Sequence, residues 1–141
     1  MTSPETPVAS KSESFPGYKM GTETILFVED EEHLRAVLSE TMELLGYNLL
    51  TAKSGEDALA ISANCKQEIH LLLTDVRLPE MKGPELALRI QADRPQIKVI
   101  YISGYPKEVL APDGILEPGT VLLHKPFTIK ILAATLREVL D

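Results

Sequence analysis

The chain has 141 residues, 44% hydrophobic and 25% charged, which allows one soluble domain with a real core and little besides. Its formal net charge of −7, with Lys and Arg scattered, argues against nucleic acid as a direct partner, since phosphate backbones are held by clustered cations. The single Cys65 excludes an internal disulfide and a cysteine-cluster zinc site, and no apolar run approaches the length of a membrane-spanning helix.

Residues 1–22 are rich in Ser, Thr, Pro and Glu and are expected to form a flexible tail, a linker or an expression leftover, because such a composition buries too little apolar surface to offset its ordering entropy. They lack the basic-then-apolar order of a signal peptide, so a cytoplasmic location without membrane contact by this domain is expected. From residue 23 to 141 strands and helices alternate. A strand at about 24–29 leads to a helix at about 31–45, with Leu34, Val37, Leu38, Thr41 and Leu45 on one face and Gly46 as its stop. A strand at 47–52 precedes a helix that Ser54 caps, with Asp57 three residues on, and that runs to about Cys65. A strand at 69–74 precedes a helix with Pro84 in its first turn that ends near Asp93, before Pro95. A strand at 97–102 is followed by a segment from Pro106 to Glu117 broken by Pro112 and Gly114, so its helix is short or irregular. The last strand covers about 120–124 and the last helix about 127–140, with Leu132, Leu136 and Val139 facing in. Five such βα units imply an α/β fold, a parallel sheet covered on both faces with right-handed crossovers.

Four of the apolar strands run, at their C-terminal ends, into residues capable of ionic or hydroxyl chemistry: Glu29-Asp30, Asp75, Ser103 and Lys125. Ligands of open α/β sheets bind outside the carboxyl ends of the strands, so these residues are expected to meet at one rim. Three carboxylates in one pocket repel one another unless a cation neutralises them, and an all-oxygen set of few ligands suits Mg²⁺. With the Lys125 ammonium and the Ser103 hydroxyl beside them, the set fits phosphoryl transfer. Asp75, rigidly placed at the end of Leu71-Leu72-Leu73, is the expected nucleophile, and Glu29 and Asp30 are the expected metal holders.

These residues resemble the receiver domain of two-component response regulators. The likeness rests on Glu29-Asp30 after the first strand, on Asp75 with Leu78-Pro79 and Gly83 behind it, on Ser103-Gly104, and on Lys125-Pro126-Phe127. It implies a flavodoxin-like, doubly wound (βα)5 fold with strand order 2-1-3-4-5. It further implies that Asp75 accepts a phosphoryl group, that Glu29, Asp30, Asp75 and the backbone carbonyl of Arg77 hold Mg²⁺, that Lys125 contacts the phosphoryl group ahead of a cis bond to Pro126, and that Ser103 is a switch hydroxyl. The implied partner is a sensor histidine kinase or a histidine phosphotransfer domain as phosphodonor; the dimer state, a homodimer included, stays open. Leu122 departs from the pattern, because receivers often carry an aromatic residue there. Arg77 and Tyr105 stand at places that influence attacking water. The segments around Ser103-Gly104-Tyr105-Pro106, Ile115-Leu116-Glu117-Pro118-Gly119 and His124-Lys125-Pro126-Phe127 look most like the C-terminal receiver of hybrid sensor histidine kinases, with a stand-alone receiver as the alternative.

Plainer readings compete at each position. Asp75 could cap a helix or turn, Glu29-Asp30 could cap the first helix, Ser103 could be a turn hydroxyl and Lys125 a solvated charge. His33, His70 and His124 have no metal-ligand spacing, and Cys65 reads as inert. Rival functions are a Mg²⁺-dependent phosphatase with an aspartyl intermediate, which ordinarily needs a second acid near the nucleophile where this chain has Arg77, and a binding module that works without phosphorylation. Neither a G-x-G-x-x-G nor a Walker-type loop follows the first strand.

Overall fold

The computed structural model describes residues 17–104 and 120–141. Strands β1 (Thr24–Val28), β2 (Asn48–Ala52), β3 (Leu71–Asp75), β4 (Lys98–Ser103) and β5 (Leu122–His124) form one sheet in the order β2-β1-β3-β4-β5. Every registered pair is parallel. The helices among the described residues are α1 (Glu32–Leu44), α2 (Gly55–Asn64), α3 (Gly83–Asp93) and α4 (Ile129–Leu140). The fold expected from the sequence is therefore present; the irregular helix expected between β4 and β5, and Tyr105 with it, lies outside the described residues.

The strands alternate their side chains between two cores, as the period of two demands. Ile25, Phe27, Leu71, Leu73, Ile100 and Ile102 pack against Met42 and Leu45 of the α1 end and Leu132, Ala133 and Leu136 of α4. Leu26, Val28 and Leu72 pack on the opposite face, against Ala58 of α2 and Leu86, Ala87 and Ile90 of α3. All five residues of β3 are buried, as expected of a strand covered on both faces.

Local signals behave as chemistry predicts at several ends. Ser54 Oγ accepts a hydrogen bond from the Asp57 amide at the start of α2, and Gly46 takes a φ of +106° behind α1, a region that favours glycine. One expectation and one competing reading are corrected. On α1, Met42 is buried and Val37 is 44% exposed, so the apolar face runs through Leu38, Met42 and Leu45 and not through Val37. The helix cap is neither Glu29 nor Asp30: Glu31 takes that place, its Oε1 accepting from the Leu34 amide at 2.7 Å. Of the expected 1–22 tail, residues 1–16 lie outside the described residues, whereas Tyr18 and Met20 pack against the α1/α4 core and the Gly21 amide donates to the Leu45 carbonyl.

Candidate functional site

The sheet register alone places the acidic residues. Val28 of β1 is opposite Thr74 of β3, so the next residues, Glu29 and Asp75, come side by side where the strands end. Asp75 and Ser103 are the last residues of their strands, one residue further than the sequence suggested, because the β3/β4 pairing continues through Asp75–Ile102 and a bond from the Val76 amide to the Ile102 carbonyl. Ser103 is opposite His124 on β5, and the Ser103 carbonyl accepts from the Lys125 amide at 2.8 Å. The peptide bond between Lys125 and Pro126 is cis, as the resemblance implied.

Glu29, Asp75, Ser103 and Lys125 line one open cleft of about 220 Å³, together with Asp30, Glu31, Arg77, Ile102 and Gly104. The Lys125 Nζ lies 3.5 Å from Asp75 Oδ1 and 3.7 Å from Glu29 Oε1, close enough for ion pairing but long for hydrogen bonds. Ser103 is buried at the cleft wall, and Arg77 is exposed at its edge, bridged to Lys82 across the loop that follows β3. His33 and His124 are exposed, and His70 Nδ1 accepts from the Thr24 amide at the far end of β1; none of the three lines the cleft.

Electrostatically the cleft is unfinished. Glu29 is 1% exposed and Asp75 6%, yet Glu29 Oε1 and Asp75 Oδ1 have no hydrogen-bond partner. Burial pushes the Asp75 carboxyl up to about 8, and the neighbouring Glu29 adds to the rise; Lys125 opposes it. One carboxylate oxygen each from Glu29, Asp30 and Asp75 lie within 4.8 Å of one another. A hard, oxygen-only donor set with two buried oxygens that lack hydrogen-bond partners is what a small divalent cation such as Mg²⁺ would satisfy. Because Glu31 caps α1, neither Glu29 nor Asp30 is occupied as its cap, and the capping alternative is set aside for them. Leu122, where an aromatic is common, sits beside Tyr101 in the register, half-buried against the α2/α3 core.

Sequence reasoning missed two residues at the site: Glu31, which lines the cleft and whose amide donates to Glu29 Oε2 at 3.0 Å, and Arg35. Arg35 on α1 reaches back and donates from Nη1 to the Glu29 carbonyl at 2.8 Å. Its spacing, one helical turn beyond Glu31, was the available signal.

Comparison with known proteins gives a consistent picture. The family model described as Response regulator receiver domain matches residues 25–137. The "Sensor kinase CckA" of Brucella abortus (strain 2308) is 36% identical over 121 residues, which is 86% of this chain and 13% of that protein. The "Response regulator receiver protein CpdR" of the same strain is 33% identical over 116 residues, 82% of this chain and 95% of that protein. The crystal structure of the receiver domain from the hybrid histidine kinase CckA superposes with a TM-score of 0.71 at 36% identity, covering 84% of this chain and 99% of that one. This chain thus spans about an eighth of the sensor kinase and nearly all of CpdR.

Proposed function

Because the chain belongs to the response regulator receiver domain family of two-component signalling, we propose that Asp75 accepts the phosphoryl group and that the cleft around it supplies the means. The observation that carries this reading is the Asp75 carboxylate itself: buried at the end of β3, its Oδ1 without a hydrogen-bond partner, beside two further acids and ion-paired to the Lys125 ammonium at 3.5 Å. Glu29, Asp30 and Asp75, with the Arg77 carbonyl, would hold Mg²⁺, which when bound neutralises charge on the acids and on the incoming phosphoryl oxygens. An Asp75 oxygen forms the new bond to phosphorus as the bond to a phosphohistidine nitrogen breaks, and the imidazole keeps that electron pair. Lys125 holds a fixed positive charge against the transferred group, and the Ser103 hydroxyl takes another of its oxygens. Arg77, at the rim, faces the path of water toward the product.

The donor on this reading is a phosphohistidine of a sensor histidine kinase or phosphotransfer domain, and the similarity to a sensor kinase favours a hybrid-kinase receiver over a stand-alone one. The receiver occupies residues 23–141 and the segment before it is a linker, whose last residues rest on the domain through Tyr18 and Met20. No helix among the described residues is long and apolar enough to cross a membrane, and a cytoplasmic setting, where kinases meet their receivers, is part of the proposal.

Incubation with Mg²⁺ and acetyl phosphate, followed by intact-mass analysis, tests the reading. The expected result is one phosphoryl group per chain, acid-stable and base-labile, absent without Mg²⁺ and absent in Asp75→Ala. Continuous turnover of phosphate esters would favour the phosphatase instead. An unmodified wild-type chain that also fails to bind Mg²⁺ would leave only the binding module.

A further inference from the structure

Glu29 is fastened from three sides, and one of the fastenings is a side chain of α1. Its amide donates to the Ala52 carbonyl of β2 at 3.0 Å, and its carboxylate Oε2 accepts from the Glu31 amide at 3.0 Å, which leaves Oε1 facing the cleft. The last registered pair of the β1/β2 ladder is Val28–Ala52, so the Glu29 carbonyl lies beyond the ladder. Arg35 takes that carbonyl at 2.8 Å, from a helix whose own amide at position 35 is bonded to the Glu31 carbonyl. The carbonyl belongs to the planar peptide unit that joins Glu29 to Asp30. A bond that fixes this plane fixes the Cα atoms of both acids at once, and so the directions from which their carboxylates enter the cleft.

We propose that Arg35 is a positioning residue for the metal site: it holds the Glu29–Asp30 peptide plane so that both carboxylates converge with Asp75 on one divalent cation. The proposal rests on the functional reading above. It assigns Arg35 no contact with the cation or the phosphoryl group. Partners that orient metal ligands ordinarily change metal affinity by about ten- to a hundred-fold when removed. Arg35 acts on the backbone of one ligand and not on a ligand side chain, so the lower end of that range is expected.

The test measures Mg²⁺ alone. Isothermal titration with Mg²⁺ and melting in EDTA are run on wild type, Arg35→Gln, Arg35→Met, which keeps an apolar stem without donors, and Arg35→Lys, which restores one donor. The Gln and Met variants should show a Kd about ten-fold higher, melt in EDTA close to wild type, and regain the wild-type extent of Asp75 modification by acetyl phosphate when Mg²⁺ is raised about ten-fold to match. The Lys variant should fall between. Variants that melt early in EDTA but bind Mg²⁺ with the wild-type Kd would overturn the proposal, as would a loss of modification that added Mg²⁺ does not restore. Should Gln or Met fold poorly, the other still decides: an unchanged Kd rejects the role and a raised one supports it. If wild type itself neither binds Mg²⁺ nor is modified at Asp75, the functional reading fails and this inference falls with it; wild-type binding with unchanged variants removes Arg35 alone.

Discussion

At Gly83 the lack of a side chain decides how closely α3 approaches the end of β3. The Gly83 amide donates to the Val76 carbonyl at 2.7 Å, and a Cβ built at Gly83 would lie 2.3 Å from the Asp75 carbonyl oxygen. The obstacle is backbone, which cannot swing aside as a flexible side chain does, so Gly83→Ala must shift either α3 or the end of β3. We expect a loss of about 1–3 kcal/mol in urea unfolding, the ordinary cost of overpacking. On the proposed function, modification of Asp75 at saturating Mg²⁺ should slow more than the stability loss accounts for, because the displaced atom is the carbonyl of Asp75 itself. A variant that unfolds at the wild-type urea midpoint and is phosphorylated at the wild-type rate would contradict this. The glycine was visible in the sequence only as part of a resemblance; its reason is a close approach between residues eight apart, which no periodicity reveals.

Among the elements, α4 and the start of β1 are joined by one arginine. Arg137, in the last turn of α4, donates from Nη1 to Glu23 Oε1 at 2.7 Å and from Nη2 to Glu23 Oε2 at 3.1 Å, a forked pair, and also reaches Tyr47 and Asp141. The hydrogen bonds from Arg137 hold the Glu23 carboxyl down at about 2. A carboxyl depressed in the folded state contributes stability above its unfolded value, and that contribution is lost as pH falls from about 4.5 to about 2. Glu23→Gln should therefore cost about 1 kcal/mol at pH 7, limited because the pair still meets solvent, with the difference from wild type narrowing as pH falls through that window. A carboxyl-carbon NMR titration of Glu23 gives a direct check: its midpoint should return to the ordinary carboxylate range in Arg137→Met. Such cross-links mark where reading the chain stops. The strands, their order through the resemblance, and the residues Glu29, Asp30, Asp75, Ser103 and Lys125 were legible because apolar runs and strand ends are local signals. Glu31 as the cap, the exposure of Val37, and the reach of Arg35 and Arg137 were not, because each depends on which way a helix turns once it has packed. Arg94, bonded to Ser62, the Cys65 carbonyl and the Gln67 carbonyl behind α2, belongs to the same class.

For the whole domain, the cleft sets stability against function. The sheet brings Glu29 and Asp75 into adjacent buried positions, and each leaves an oxygen without a hydrogen-bond partner. With no cation bound, the folded state favours a protonated Asp75, raised to about 8 by burial first and by Glu29 next, whereas the unfolded chain releases that proton near 3.8. Between these values the folded state holds more protons than the unfolded one, so raising the pH lowers the stability. This is opposite in sign to the Glu23 contribution, and the two windows barely overlap. In EDTA the melting temperature should thus decline as pH rises from about 5 to about 8. Asp75→Asn should flatten the decline, melt higher than wild type at pH 8 and be more stable there by on the order of 1–3 kcal/mol, because it removes a buried charge that lacks full compensation. Saturating Mg²⁺ should reverse the order, raising wild type at pH 8 and leaving Asp75→Asn less affected, since a cation favours the ionised carboxylate that burial opposes. Equal melting temperatures for wild type and Asp75→Asn across the range, with and without Mg²⁺, would mean that the two acids are already neutralised by Lys125. The cleft would then have no electrostatic deficit for a cation to fill.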